Sequence, residues 1–425
     1  MSKALLVATV VIAVATAAVV LQRKATPQIT REIAWAGQGV WLKAETHVHT
    51  RFSDGGHTVD ELADRAVANG CDVLAITDHT DSGLKAATRE YHAALAAART
   101  RLPKLVLLTG FEWNVPPGKG EDHAVVLVPP GLDGEEVWSD FKRRFDDLDK
   151  KGENPELAAD AFVWMRALAA EEKAGPPVMF LDHPGRRAAS IAAVTKQLEF
   201  LAEAGKGVFI GVEGAPGHQK ATPLGAYGGT ITPEDRWDPS VATLGAAWDQ
   251  QLMAGRTLTG ALATADFHSE SNGDYWPCEF SATWIYARER SAVGALEALR
   301  AGSFVGVHGG IAREISLSLA SEGLSRPAIA GEAVKLRSGA PLTIELRAMV
   351  PPTDWEGRPN HLDLVDIIGI TSSGATVLHS GPLVDGVLRY QTTTPPGGIT
   401  IRARGRRVVE EAPDLLFYTN PIVVR

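Results

Sequence analysis

KAETHVHT, residues 43–50, is the stretch from which the fold of this chain can be read. Side chains alternate along a β-strand, so His47 and His49 project from one face, as two imidazoles must to share a metal ion. The pattern recurs down the chain. VLAIT (73–77) runs into Asp78 and His79, and KLVLLT (104–109) into Gly110, Phe111 and Glu112. VMFL (178–181) runs into Asp182 and His183, and ALATA (261–265) into Asp266, Phe267 and His268. Apolar runs that end in ligand-type residues point to strands converging on one site.

Helical signals separate these runs. Thr58 to Glu61 reads as a capping box, Leu62, Ala66 and Val67 recur at helical spacing, and Gly70 is placed to end the helix before Val73 opens the next strand. Residues 84–100, 155–174, 189–205, 240–253 and 291–301 are further Ala-rich or amphipathic stretches alternating with Val- and Leu-rich runs. Such alternation predicts a parallel sheet or barrel of α/β class, with its chemistry at the C-terminal strand ends. Seven candidate strands lie between residues 40 and 268. His123 precedes its run, AVVLV, instead of following it, which predicts a strand of different direction.

A chain of 425 residues exceeds what one core usually supports. The barrel is assigned to residues 40–308. After Ile311 helical signals stop, and short alternating runs such as LTIELRA and ITIRAR, divided by Pro- and Gly-rich turns, predict a small all-β sandwich-like domain over 311–425. Residues 25–39 read as a linker. The uncharged apolar stretch from Ala4 to Leu21, followed by Arg23 and Lys24, makes residues 1–24 a signal peptide or a membrane anchor, with Ala15-Thr16-Ala17 as a cleavage sequence. Export to the periplasm or medium, or anchoring in the membrane, is the expectation. The net charge of −9 argues against a nucleic-acid groove. Arg402 to Arg407 alternate with small or apolar residues and read as the wet face of a strand. The cysteines, Cys71 and Cys278, form no disulfide framework, and Cys71 reads as a small core hydrophobe.

Nine residues carry the chemistry: His47, His49, Asp54, His79, Glu112, His123, His183, Asp266 and His268. Imidazole with carboxylate suits zinc, manganese or iron, and the lack of thiolates excludes a Cys-type structural zinc site. His92, His308, His361 and His379 read as structural. Asp78, Asp182 and Glu213 are candidates to orient the imidazoles, with loop or capping roles open for Asp78 and Asp182.

The segments ETHVHTRFSDG, AITDHTD, GFEWNVPPGKGEDHAVVLV, FLDHPGR and ATADFHSE resemble, in order, the motifs of the PHP family of metallohydrolases, named for polymerase and histidinol phosphatase domains. The resemblance covers residues 44 to about 308; the N-terminus, WDQQLMAG and TNPIVV look most like an exported branch that includes carbaryl hydrolases. It implies a distorted seven-stranded β/α barrel holding two to three divalent ions. On the family's scheme His47, His49, Glu112 and Asp266 hold one ion, Glu112 bridges to a second held with His123 and His183, and Asp54, His79 and His268 hold a third. Aspartate at position 54, where some relatives have histidine, would weaken that third site. Glu112, Asp266 and His268 are the expected catalytic centre, with metal-bound hydroxide as nucleophile. No G-x-S-x-G elbow supports a Ser-His-Asp alternative. For the small-molecule substrate, Arg51, Lys119, Arg186 and Arg187 could clamp a phosphate, favouring phosphoester hydrolysis. Trp113, Trp237, Tyr275 and Trp276 would instead wall an aryl group, as carbamate or aryl-ester hydrolysis needs. His57 and His218 are candidates for protonating a leaving group. A metal-dependent binding protein without catalysis is the competing class.

Overall fold

The computed structural model describes residues 26–80, 85–117, 122–146, 154–170, 175–215, 217, 220–256 and 260–425. The apolar stretch Ala4–Leu21, Lys119 and His218 lie outside the described residues. The first part of the chain runs β1 (Gln28–Arg31), β2 (Val40–Glu45), α1 (Val59–Ala68), β3 (Val73–Ile76), α2 (Arg89–Arg101), β4 (Val106–Asn114), β5 (His123–Val128), α3 (Glu135–Phe145), α4 (Pro155–Leu168) and β6 (Val178–Leu181). It continues through α5 (Ile191–Ala204), β7 (Phe209–Ala215), α6 (Pro239–Ala242), α7 (Ala247–Met253), β8 (Ala261–Ala263), β9 (Ser281–Ala287), α8 (Ala292–Ala301) and β10 (Phe304–His308). Only strands follow: β11 (Arg313–Ala320), β12 (Ala328–Ile329), β13 (Ala333–Lys335), β14 (Pro341–Met349), β15 (Leu364–Thr371), β16 (Gly374–Gly381), β17 (Val387–Thr393), β18 (Ile399–Arg407), β19 (Leu415–Thr419) and β20 (Ile422–Val424). Among the described residues no helix is long and apolar enough to cross a membrane.

The first strand-helix-strand unit forms for the reasons its sequence states. Thr58 and Glu61 close a reciprocal capping box on α1. At the other end Gly70 adopts φ +75°, and the Cys71 and Gly70 amides donate to the Ala66 and Val67 carbonyls, a Schellman ending that turns the chain directly into β3.

Strands β2 to β8 lie side by side in sequence order. The pairs β2–β3, β3–β4, β6–β7 and β7–β8 are parallel, whereas β5 runs antiparallel to both β4 and β6. That reversal places the start of β5, and with it His123, at the edge where the parallel neighbours end. The sheet is not a simple ring of seven: β9 and β10 extend it antiparallel beyond β2. Between β8 and β9 the link is a side chain, the Thr283 hydroxyl accepting from Ala263 N and donating to Ala263 O, each at 3.0 Å.

The C-terminal strands share this sheet. β10 pairs with β19, and the order runs on through β18, β20 and β13 to β1, while β12, β11, β14 and β17 form a second sheet. One core packs Phe280, Val305 and Val307 with Ile315, Leu317, Ile401 and Phe417. The segment expected as a linker is built in: β1 pairs with β13, Ile33 and Trp35 are buried, and the Trp35 indole donates to Tyr286 O.

Two other expectations are corrected. Cys71 and Cys278 form a disulfide across 207 residues, which no local pattern could signal. The 402–407 stretch is not a wet face, because β18 lies inside the sheet, with β15 on one side and β19 and β20 on the other. Arg402 is fully buried, paired with both Asp249 oxygens at 2.9 Å and stacked on Trp248; Arg404 pairs with Asp366 and Arg407 with Asp354.

Candidate metal centre

Backbone hydrogen bonds continue beyond the strand ends and lock the motif residues to one another. His49 N donates to Phe267 O, Thr77 N to Val48 O, Glu112 N to Asp78 O and Asp182 N to His123 O. Glu45, two residues before His47, accepts from the Thr46, His47 and Ala265 amides, so one buried carboxylate staples the ends of β2 and β8 together. Sequence reasoning passed over this residue; an acid inside an apolar strand was the available signal. Burial, above all, pushes its carboxyl up to about 8. His183 and Asp266 sit at φ 30° and 45°, a left-handed conformation costly for non-glycine residues and characteristic of functional strand ends.

The side chains converge. His47 Nε2 lies 3.0 Å from His49 Nε2, 3.4 Å from Glu112 Oε2 and 3.3 Å from Asp266 Oδ1. His49 Nε2 is 3.2 Å from Glu112 Oε2 and 3.3 Å from Asp266 Oδ1. Donors bound at 2.0–2.2 Å to one ion stand about 3.0–3.4 Å apart, so His47, His49 and Glu112 have the spacing of a shared coordination sphere, with Asp266 close to both imidazoles. Glu112 reaches further, with Oε1 2.6 Å from His123 Nδ1 and Oε2 3.1 Å from His79 Nδ1. Asp54 Oδ2 lies 3.3 Å from His268 Nε2 and 3.6 Å from His79 Nε2, and Asp54 Oδ1 3.4 Å from His49 Nδ1. His183 joins no group of three mutually close donors among the described residues; its ring stands 5.6 Å from that of His123.

Two contacts present nitrogens as ligands. His47 Nδ1 faces Glu213 at 3.0 Å and His268 Nδ1 faces the Asp266 carbonyl at 3.0 Å, so a proton on each Nδ1 leaves Nε2 as a lone-pair donor to the cluster. Asp78 does not orient an imidazole. It accepts from Thr50 N, Thr50 Oγ1 and Ser53 Oγ and thereby fixes the loop carrying Asp54, while Asp182 Oδ1 accepts from Val125 N.

Glu112 is buried, and its Oε2 faces ring nitrogens of His79, His49 and His47 at 3.1–3.4 Å without a well-aligned hydrogen bond to any of them. Such an atom costs free energy unless a cation meets it, and the donor set suits a divalent ion. Electrostatics agree. Burial would raise the Glu112 carboxyl, but His79, His123 and His47 hold it well below the carboxylate range; burial opposes a proton on His47, yet Glu213, Asp266 and Glu112 raise it well above its usual value. The acids crowd enough negative charge here to demand cations.

Of the substrate candidates, Arg186 Nη2 lies 3.4 Å from Asp266 Oδ2 at the cluster edge. Arg51 is exposed and donates to Gly56 O in its own loop, and Arg187 lines a cavity beside His183. His57 pairs with Glu270. Of the aromatic candidates, Trp113 and Trp237 are fully buried in the hydrophobic core, Trp276 stacks on Phe267 and Tyr275 on Phe280.

The PHP domain model matches residues 45–136, which carry His47, His49, Asp54, His79, Glu112 and His123. That stretch is similar to a PHP domain. Over 89 residues it is 40% identical to a 3',5'-nucleoside bisphosphate phosphatase from Chromobacterium violaceum, a match covering 21% of this chain and 27% of that relative's length. Similar solved structures include a two-domain protein from Bacteroides vulgatus containing a predicted PHP-like metal-dependent phosphoesterase, 17% identical over 95% of this chain and 98% of that one, with a TM-score of 0.43. An amidohydrolase from Chromobacterium violaceum is 20% identical over 54% of this chain and 89% of that one, with a TM-score of 0.30. In residues 45–136 and the strand ends that follow them, the side chains fit a cluster of divalent ions.

Proposed function

We propose that the protein is a polynuclear metal-dependent hydrolase of phosphoesters. His47, His49, Glu112 and Asp266 would hold one ion, Glu112, His123 and His183 a second, and Asp54, His79 and His268 a third, the ions being zinc, manganese or iron. The observation that carries the substrate class is Arg186: its Nη2 reaches Asp266 at the cluster, while its Nε is buried with no hydrogen-bond partner. A guanidinium so placed fits the equatorial oxygens of a phosphoryl group. Ions bound in the cluster would activate water and offset charge developing on the phosphoryl oxygens. The chain's own part is to orient that group through Arg186, to keep a proton on His47 Nδ1 through its bond to the Glu213 carboxylate, and to hold the Asp54 loop through Asp78. Carbamate and aryl-ester hydrolysis, the alternative reading, has less support, because Trp113 and Trp237 are fully buried in the core.

The test is a panel of p-nitrophenyl phosphate, bis-p-nitrophenyl phosphate and 1-naphthyl N-methylcarbamate on manganese- or zinc-loaded protein. Turnover of a phosphate ester, abolished in Arg186→Ala more than in Arg51→Ala, is expected. Cleavage of the carbamate alone would reverse the substrate class, and no turnover of any ester would favour a binding protein. Export is part of the same proposal: the apolar stretch Ala4–Leu21 reads as a signal or anchor, and the Cys71–Cys278 disulfide suits an oxidising compartment. Residues 1–39 fused to alkaline phosphatase should give active reporter, and an inactive fusion would place the enzyme inside the cell.

A further inference from the structure

A cavity of about 270 Å³ opens beside the cluster, ending on Asp182 and His183. His183 stands next to His123, which contacts Glu112, so the cavity is one imidazole removed from the proposed second ion. Leu181, Pro184 and Val194 contribute apolar atoms to a lining that is otherwise largely polar. Its outer wall is α5, where Ala193 and Gln197, four residues apart on one helical face, line the space. Gln197 brings an amide that both donates and accepts, and Arg187 and Asp122 bring charge. The volume lies just under the ~300–1,000 Å³ that encloses drug-sized ligands, enough for one ring system and too small for a polymer segment.

We infer that this cavity receives the alcohol portion of the substrate, and that this portion carries a planar ring with apolar faces and a hydrogen-bonding edge. The inference rests on the phosphoester reading for its reaction but on the cavity for its specificity. The apolar atoms of Pro184 and its neighbours would meet a ring face. Gln197 reads the edge, because an amide discriminates a polar edge from a hydrocarbon one. Neither Ala193 nor Gln197 belongs to the metal cluster, and Ala193 is exposed, so Ala193→Trp can fill the cavity without disturbing the core.

The experiment compares glycerol phosphate, 1-naphthyl phosphate and adenosine 3'-phosphate as substrates of manganese-loaded wild type, Ala193→Trp and Gln197→Leu, each first shown by thermal melting to be folded. Ala193→Trp should lower kcat/KM about tenfold or more for both ring-bearing esters and leave glycerol phosphate within about twofold. Gln197→Leu should weaken the adenosine ester and spare the naphthyl one. Equal effects on all three esters, or none, would overturn the assignment while leaving phosphoester hydrolysis standing. Calorimetric titration with adenosine alone separates the two claims: wild type should bind it and Ala193→Trp should not, whether or not any ester is hydrolysed. No binding of adenosine to wild type would overturn the pocket, whereas binding without turnover of any phosphate ester would overturn the phosphoester reading and keep the pocket.

Discussion

Glu112 touches more of the cluster than any other acid, with both oxygens engaged by different histidines. Glu112→Gln should therefore lower metal occupancy at more than one site and cut activity about 100-fold, whereas Asp54→Ala, at a half-exposed position, should empty mainly the third site. Elemental analysis of both variants separates these outcomes. Gly217 supplies a subtler case. It sits at φ +48°, and a Cβ there would lie 2.7 Å from Asp266 Cβ and 2.9 Å from Asp266 Oδ2. Gly217→Ala should displace Asp266 and lose metal while circular dichroism stays native; unchanged metal content would show that the loop yields instead. The histidines also set a pH dependence. Burial opposes a proton on His49, but Asp266 and Glu112 raise it to about 10. In the metal-free protein that protonation stabilises the fold fully below the unfolded value near 6.5 and is lost as pH rises through about 10. An ion must displace those protons, so affinity should climb with pH and binding at neutral pH should release protons. Calorimetry in two buffers of different ionisation enthalpy measures the release, and uptake without it would contradict the electrostatics.

At the scale of elements, the disulfide joins the start of β3 to the loop that follows His268. Replacing both cysteines with serine should cost roughly 2–5 kcal/mol of stability, read by thermal or urea unfolding under oxidising conditions. An unchanged midpoint would mean that the Lys43 ammonium, which donates to Asn69 O and Cys278 O, holds the loop alone. The elements differ in how far they could be read. The capping box of α1, the same-face pair in THVHT and the reversed strand behind His123 are local patterns, and the structure bears them out. Most of the nine proposed ligands could be picked out because they adjoin strands; Asp54 stands instead in the loop between β2 and α1. What escaped was long-range: the partner of Cys71, the pairing of β1 with β13, and the burial of Arg402, which depends on α7 bringing Asp249 from 153 residues away. Glu45 escaped because its role lies in backbone amides, which have no residue code.

Over the whole molecule, the continuous strand order and the cores shared across residue 310 make the α/β part and the β-rich C-terminal part lean on each other. Limited proteolysis near Gly302–Arg313 should therefore fail to release a soluble α/β fragment, and recovery of a folded 40–308 fragment would establish two independent domains. The strand ends of that sheet bring together residues from 47 to 268, and the central claim is that they hold several ions at once. Elemental analysis of the purified, metal-reconstituted chain tests it most directly. More than one divalent ion per chain, falling in Glu112→Gln, is the expected result; a wild-type content of one ion or fewer would contradict the polynuclear centre.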